Sequence, residues 1–257
     1  MSSIVTVSDN AGVRTLTLNR PERRNALSSE LVDELRVQLV TAGNDESVHV
    51  IVLTGAGKAF CAGGDLNPGG MGGVAKQQAQ RLAFVELLDT FTHVGKPTVA
   101  KINGHALGGG FGLALACDVA IAAESATLGT PEIKVGLFPM MIMPLILRHM
   151  GRKATMDLLL RGQRMTATEA LENNCLTRVV ADDDLDAHVD EYVGQLCSFS
   201  ASVHRLGVQH FHRMADLPLH EAAAMGADGL GLNFFLEDAA EGLTAFLTKR
   251  DPEWKGR

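Results

Sequence analysis

Three consecutive glycines, at residues 108–110, stand between an apolar strand and a good helix former in the segment HALGGGFGLALACD. Because glycine has no Cβ, the chain can turn tightly there and leave its backbone N–H groups unshielded. The amide of Gly109 is expected at the N-terminus of a helix, where unpaired donors and the helix dipole attract negative charge. The triplet therefore predicts one of two things. It forms a site for an anion, or for an oxygen that becomes one, or it lets a helix pack closely on a sheet.

A second segment of small residues repeats this arrangement earlier in the chain. The apolar strand VHVIVLTG, residues 48–55, is followed by a short turn and by KAFCAGGDL, residues 58–66. One such segment alone says little, but two can meet at one oxygen. Two backbone donors that converge on an enolate or a tetrahedral oxyanion stabilise it by about 3–4 kcal/mol each.

Strands and helices alternate along the first part of the chain, which is the pattern of an α/β architecture. Runs rich in β-branched residues, such as VRTLTLNR and PTVAKING, predict strands. A helix is predicted after Ser28 or Ser29, either of which can cap its N-terminus. Three leucines share one stripe of that helix: Leu31, Leu35 and Leu39. Amphipathic helical stretches dominate the last third, which is either a second layer of the fold or an oligomerisation region.

Charge and cysteine usage argue against several classes of protein. The formal net charge of −7 disfavours nucleic-acid binding, because phosphate backbones are bound by basic surfaces. No apolar run reaches the ~18 residues of a membrane span, and the first residues lack a secretory signal pattern. The four cysteines have no close spacing, so reduced thiols are expected. We therefore expect a cytoplasmic protein with no nucleic-acid partner, no membrane partner and no metal.

Four segments together resemble the enoyl-CoA hydratase/isomerase, or crotonase, family in order and spacing: NRPERRNALS at 19–28, AFCAGGDL at 59–66, NGHALGGGFGLALACD at 103–118 and TPEIKVGLFP at 130–139. The resemblance continues through LLLRGQRMTATEAL to EGLTAFLTKR, and so covers nearly the whole chain. It implies an α/β fold of the ClpP/crotonase-like kind, a spiral of ββα units with a helical C-terminal region. It also implies a spiral core at residues 1–195 with the CoA and active sites, and a helical trimerisation region at residues 196–257.

The same resemblance implies an acyl-CoA thioester as substrate and a homotrimer or homohexamer as the assembly. The backbone amides of Ala62 and Gly109 would then polarise the thioester carbonyl. The residues implied to bind CoA or the substrate lie in these segments and near the C-terminus: Arg23, Arg24, Phe60, Gly63, Gly64, Asp65, Leu66 and Lys249. For the basic residues the alternative is an ordinary solvated surface charge. Because CoA is part of the substrate, no separate cofactor is expected.

One position departs from the typical hydratases of this family, which carry two glutamates. The glutamate after the TP turn is present as Glu132, whereas the position after the glycine triplet holds Gly112. Hydration needs a water held by two carboxylates, unless another polar group or a second water takes over. Moving a double bond from C3 to C2 needs only one group that carries a proton from C2 to C4, and a lone Glu132 fits that role. The alternative for Glu132 is a helix-start carboxylate after Pro131.

The run PMMIMPLIL, residues 139–147, is unusually apolar where hydratase relatives commonly have a glycine-rich PGAGG segment. We predict that Gly112, Met140 and Met141 line the substrate pocket. Met143 either joins them or, as the other methionines also can, belongs to the core. An apolar pocket is expected to raise the pKa of Glu132, which suits a proton carrier.

Three further residues invite chemical roles but are assigned structural ones. His105 precedes the glycine triplet and does not match the histidine position of the dehalogenase relatives. Asp118 ends the ALACD segment, where it is expected to cap or pair. Cys61 adjoins one of the small-residue amides, but no partner histidine is identifiable for a thiol nucleophile.

These features predict an enoyl-CoA hydratase/isomerase-type enzyme of acyl-CoA and fatty acid metabolism. Two amides stabilise a thioester enolate, and Glu132 moves a proton in hydration of a 2-enoyl-CoA or in 3-to-2 isomerisation. Two alternatives stay open. One is an acyl-CoA-binding homologue with little catalysis, and the other is a single-glutamate acyl-CoA hydrolase or decarboxylase.

Overall fold

The computed structural model describes residues 3–65 and 73–257, which form two sheets surrounded by helices. The strands of the larger sheet are, in spatial order, Val5–Asn10 (β1), Val13–Leu18 (β2), Val50–Gly55 (β3), Thr98–Ile102 (β5), Val119–Ala123 (β7) and Arg178–Val180 (β10). β1 and β2 pair antiparallel, and every other neighbouring pair is parallel. The sheet therefore has the mainly parallel arrangement expected of an α/β fold.

The smaller sheet carries the functional segments. Its strands are, in spatial order, Ala59–Cys61 (β4), His105–Leu107 (β6), Thr127–Gly129 (β8) and Arg164–Thr166 (β9). β4, β6 and β8 are parallel, whereas β9 pairs antiparallel with β8. Since parallel strands end at the same edge, the residues after β4, β6 and β8 meet there, which is where open α/β sheets bind ligands.

Helices cover both sheets. They are Ser29–Asn44 (α1), Val74–His93 (α2), Gly109–Ala116 (α3), Met143–His149 (α4), Arg152–Arg161 (α5), Ala167–Glu172 (α6), Leu185–Cys197 (α7), Ala201–Met214 (α8), Leu219–Asn233 (α9) and Glu237–Thr248 (α10). Ser28 caps α1 by accepting the N–H of Leu31, and the predicted leucine stripe of that helix is fully buried. None of the described helices combines the length and apolar character needed to cross a bilayer.

Helix α3 packs directly against β4 because Gly110 has no side chain. A Cβ at Gly110 would collide with the carbonyl oxygen of Cys61 and lie 2.7 Å from the Cys61 Cβ. Gly108 precedes the helix with φ 53° and ψ −124°, a backbone conformation that L side chains rarely adopt. The glycine triplet therefore turns the chain sharply and brings the helix onto the strand.

The C-terminal helices leave apolar surface uncovered in a single chain. No residue of α8 is buried, and Gly229 is the buried residue of α9. Phe235, Phe246 and Leu247 are 87%, 81% and 77% exposed. Large exposed apolar side chains in one region of a chain are typical of protein–protein contacts.

The four cysteines are free thiols, as predicted from their spacing. Cys61, Cys117 and Cys175 are buried, and burial raises the pKa of Cys61 and of Cys175 to about 12. A thiolate at either position is therefore strongly disfavoured at neutral pH.

Gly110→Ala is expected to destabilise the protein by about 2 kcal/mol or more, because the new methyl group meets backbone atoms that cannot move aside. Gly194→Ala is the matched control, since a Cβ at this position in α7 meets nothing within 4 Å. That change is expected to be neutral or to stabilise by about 0.5–1 kcal/mol. Urea unfolding measures both. Equal stability for the two variants would contradict the close packing of α3 on β4.

Candidate active site

Glu132 lies on a 3₁₀ turn, Pro131–Val135, just after the end of β8. Its Oε1 atom lies 2.7 Å from the position that a Cβ would take on Gly108, so the carboxylate rests against that glycine. Its Oε2 atom is buried and has no hydrogen-bond partner among the described residues. Glu132 does lie at the start of a helical turn, as the structural interpretation predicts. That position alone does not explain a buried oxygen without a partner, which is the kind of group often found at functional sites.

Burial raises the pKa of Glu132 above the ordinary glutamate value of 4.5, because the charged form loses solvation. A hydrogen bond from the residue's own backbone opposes this shift. The direction agrees with the expectation from the sequence. A carboxylate whose pKa moves toward neutrality gives up and takes up protons more readily at working pH.

The two small-residue segments meet beside Glu132. Gly63 adopts φ 97°, and a Cβ there would lie 2.9 Å from the Leu107 carbonyl oxygen and 3.6 Å from the Gly108 Cα. Gly108 therefore contacts Gly63 on one side and the Glu132 carboxylate on the other. The segments after β4, β6 and β8 converge at this glycine, as the sheet topology requires.

Two backbone amides at this junction are free to bind a ligand. Gly64 is exposed, and Gly109 is the first residue of α3. Neither N–H has a hydrogen-bond partner in the part of the chain that the structure describes. Gly109 thus has the unpaired helix-terminal donor that the sequence predicts.

Ala62 does not supply the second free amide, which corrects the expectation from the sequence. Its N–H donates to the carbonyl oxygen of Arg24 at 3.0 Å. Ala62 directly follows β4, and this hydrogen bond joins it to the loop before α1. Gly64, two residues later, has the free N–H and replaces Ala62 as the candidate donor.

Asn25 holds that loop against β4, a role that the sequence analysis missed. The side chain is fully buried, and its Nδ2 donates to the carbonyl oxygens of Ala59 and Phe60 at 2.7 and 3.2 Å. Its Oδ1 accepts the N–H of Arg20 at 2.9 Å. The residue adopts φ 57°, a conformation that asparagine tolerates better than most residues. The asparagine that ends the PERRN segment was the available signal.

Asp65 is occupied by an internal ion pair. Its Oδ2 atom lies 3.0 Å from Nη2 of Arg20, and both side chains are largely shielded from solvent. Arg20 also donates to the Ala26 carbonyl oxygen at 2.6 Å. Asp65 therefore fixes the segment that presents the Gly64 amide, and Arg20 is a further residue that the sequence analysis did not single out.

The other predicted CoA-binding residues fall into three groups. Phe60 is 0% exposed, so its side chain belongs to the core and cannot contact a ligand, contrary to the expectation. Arg23, Arg24 and Lys249 are exposed, and none forms an ion pair within the described residues. Lys249 ends α10 with φ 54°, beside the Arg250–Glu241 pair. Leu66 lies outside the described residues.

Gly112 is buried under apolar side chains. A Cβ at this position would collide with Cγ2 of Ile142, and it would lie 3.2 Å from the Ile142 Cβ and 3.8 Å from Cζ of Phe84. Phe84 and Leu27 cover Gly109 in the same way. The three atoms nearest to that Cβ position are thus carbon atoms, and no side chain can be added there without moving Ile142.

The predicted pocket methionines lie mostly at the surface of the single chain. Met140 is 63% exposed and Met141 is 41% exposed. Met141 lines a cavity of about 840 Å³ bounded by α2, the end of α3, α4 and α8, together with Leu88, Leu115 and Leu145. Met143 packs against the core.

The residues assigned structural roles have structural partners. His105 Nδ1 lies 2.8 Å from the hydroxyl of Thr127. Asp118 accepts hydrogen bonds from the N–H and hydroxyl of Thr98 and contacts Nε2 of His212 at 2.8 Å. Among the described residues, no three His, Cys, Asp or Glu side chains are grouped in a way that suits a metal ion.

Known proteins match the chain over nearly its whole length. The sequence model of the enoyl-CoA hydratase/isomerase family matches residues 8–257. A probable enoyl-CoA hydratase of Mycobacterium bovis is 35% identical over 246 residues, 95% of each protein. An enoyl-CoA hydratase structure from Mycobacterium smegmatis has a TM-score of 0.95 at 31% identity and covers 98% of this chain and 99% of its own. Human enoyl-CoA hydratase domain-containing protein 3 has a TM-score of 0.94 at 27% identity, with 98% and 100% covered. These structures confirm the predicted fold.

Proposed function

The chain belongs to the enoyl-CoA hydratase/isomerase family and is an enzyme of that kind. We propose that it isomerises 3-enoyl-CoA thioesters. The thioester oxygen accepts hydrogen bonds from the N–H groups of Gly64 and Gly109. These donors stabilise the negative charge that develops on that oxygen when a proton leaves C2. Glu132 is the group that takes this proton.

The proposed step moves one proton and one double bond. The Glu132 carboxylate removes a proton from C2, and the electron pair of the C–H bond forms a dienolate whose charge rests on the thioester oxygen. The dienolate then collapses, the double bond moves to C2–C3, and protonated Glu132 returns its proton to C4. The raised pKa of Glu132 supports both halves of this shuttle, because the same group must be base and then acid.

The observation that carries the proposal is the placement, beside two free amides, of one carboxylate with a buried oxygen that has no partner among the described residues. Oε2 of Glu132 is buried without a hydrogen-bond partner among the described residues, and its other oxygen contacts Gly108 between the two amide-bearing segments. No second carboxylate can come from position 112, which is glycine. One proton carrier and an oxyanion site are what isomerisation requires.

Hydration of 2-enoyl-CoA is the second candidate, and the similarity to relatives named as probable hydratases, such as the Mycobacterium bovis protein, favours it. In this reaction Glu132 would position a water with help from one other polar group. Binding without turnover, hydrolysis and decarboxylation are the remaining outcomes of the assay. We propose no resident cofactor, because the CoA thioester itself supplies the group that is activated.

The proposal also includes contacts to the CoA phosphates and an assembly of several chains. Arg23, Arg24 and Lys249 are unpaired within the described residues and have the charge to meet the CoA phosphates. The uncovered apolar surface of α8, α9 and α10 supports assembly into a homotrimer or homohexamer.

Glu132→Gln is expected to lower turnover of 3-enoyl-CoA by about 10²- to 10⁴-fold, because the amide cannot carry the proton. Affinity for a CoA thioester should change little. The wild-type rate should fall as pH drops through the Glu132 pKa, with a midpoint above 4.5, because protonation removes the base. Glu172→Gln changes an exposed carboxylate and is the control. Steady-state kinetics with product analysis measure these effects, and undiminished turnover in Glu132→Gln would contradict the assignment.

Gly64→Pro is expected to reduce kcat by about 10²- to 10³-fold, because proline removes the proposed oxyanion donor. Gly64→Ala keeps the N–H, and its Cβ would meet nothing within 4 Å, so most of the rate should remain. Thermal unfolding checks that both variants are folded. A proline variant as active as the alanine variant would show that Gly64 is not the donor.

The assembly is tested by light scattering on the purified protein. We expect the mass of three or six chains of 27.4 kDa. Phe246→Glu should lower that mass, since it places a charge in the apolar surface, and Phe246→Leu should not. A monomeric wild-type protein would contradict the proposed assembly.

A further inference from the structure

Glu132 contacts Gly108, the residue that directly precedes α3. The N–H of Gly112 donates to the carbonyl oxygen of Gly108 at 3.0 Å, so Gly112 lies one helical turn beyond that contact. The side chains that cover Gly112 are therefore within one turn of the glycine that the proton-carrying carboxylate touches.

Ile142 forms that wall. It is 2% exposed, and its Cγ2 methyl fills the space in which a side chain at position 112 would begin. Ile142 precedes α4 in a turn closed by the hydrogen bond from the N–H of Met143 to the Pro139 carbonyl oxygen at 3.0 Å. Phe84, 6% exposed, contacts the same glycine. The position of the isoleucine is therefore set by backbone structure and by tight packing.

A wall of this composition gives water no place to bind. An ordered water needs about two to four polar partners, and Ile142 and Phe84 offer none. A proton taken from carbon by Glu132 has no held water to compete with its return to carbon.

We propose that Ile142 determines reaction specificity by excluding water beside Gly112, so that the enzyme favours isomerisation over hydration. This inference rests on the proposed function, because it assumes that Glu132 moves a proton on an enoyl-CoA. Gly112 and Ile142 act as a complementary pair, since the absence of a side chain at one position gives room for the methyl group of the other.

The test compares Ile142→Ala with Ile142→Val. Alanine removes the methyl group that covers Gly112, whereas valine keeps both γ carbons. Each variant is incubated with 3-enoyl-CoA and with 2-enoyl-CoA, and mass spectrometry with chromatography measures 3-hydroxyacyl-CoA against the isomerised product. We expect the ratio of hydration to isomerisation to rise by roughly tenfold or more in Ile142→Ala. Valine should hold the ratio near that of the wild type. An unchanged ratio in folded Ile142→Ala would overturn the proposal.

A second substitution covers the case in which the alanine variant does not fold. Ile142→Thr keeps the Cγ2 methyl in the same rotamer and replaces Cγ1 by a hydroxyl, which gives water a polar partner in the wall, so it should also raise the hydration ratio. Gly112→Glu alone should lower stability, because its side chain collides with Ile142, and the double variant with Ile142→Ala should relieve the collision and raise hydration further. If Ile142→Thr and the double variant leave the ratio unchanged, the proposal is wrong.

If the proposed isomerase function is wrong, the assays give a different result from the one expected when only the role of Ile142 is wrong. Wild-type protein should convert 3-enoyl-CoA to 2-enoyl-CoA, and Glu132→Gln should not. Absence of isomerisation in the wild type would remove the proposed function itself. Isomerisation in the wild type with identical product ratios in all Ile142 variants would remove only the role of Ile142.

Discussion

The site depends on the close approach of backbone segments that cannot carry side chains where they touch. Gly63 lies against Gly108, and Gly110 lies against Cys61. Side chains at these positions would push α3 away from β4 and separate the two free amides from Glu132. Of the two purposes that the sequence left open, the close packing of helix on strand is served by Gly110, while Gly109 leaves an unpaired donor at a helix N-terminus.

Local sequence predicted strands of the larger sheet, a cap for α1 at Ser28 or Ser29 and the leucine stripe of that helix, because each follows from neighbouring residues. It did not predict β4, β6 and β8, which carry the site, because strands of three residues are too short to show a periodic pattern. The raised pKa of Glu132 was expected from an apolar pocket, which distant parts of the chain build. The assignments of Ala62 and Phe60 were wrong because their surroundings come from distant parts of the chain. Asn25 and Phe60 form a hydrogen bond across 35 positions. No local pattern could show that the loop before α1 would occupy the Ala62 amide and leave Gly64 free.

Apolar surroundings act on two polar groups of the junction. Burial raises the pKa of Glu132, and the side chains of Leu27 and Phe84 beside Gly109 lower the local dielectric, which strengthens a hydrogen bond from its amide to a developing oxyanion. The contact between Gly112 and Ile142 extends this apolar character to the place where the typical hydratases that the sequence resembles carry a second glutamate. The sequence showed the missing carboxylate, but the side chain that fills its place was visible only in three dimensions.

The central claim is that one thioester oxygen lies between the amides of Gly64 and Gly109 with its C2 carbon beside Glu132. A crystal structure of the protein with a bound acyl-CoA measures this most directly. The expected result is an oxygen about 2.7–3.1 Å from both amide nitrogens, with a Glu132 carboxylate oxygen in contact with C2. A thioester oxygen bound to the Ala62 amide, or lying out of reach of Gly109, would contradict it.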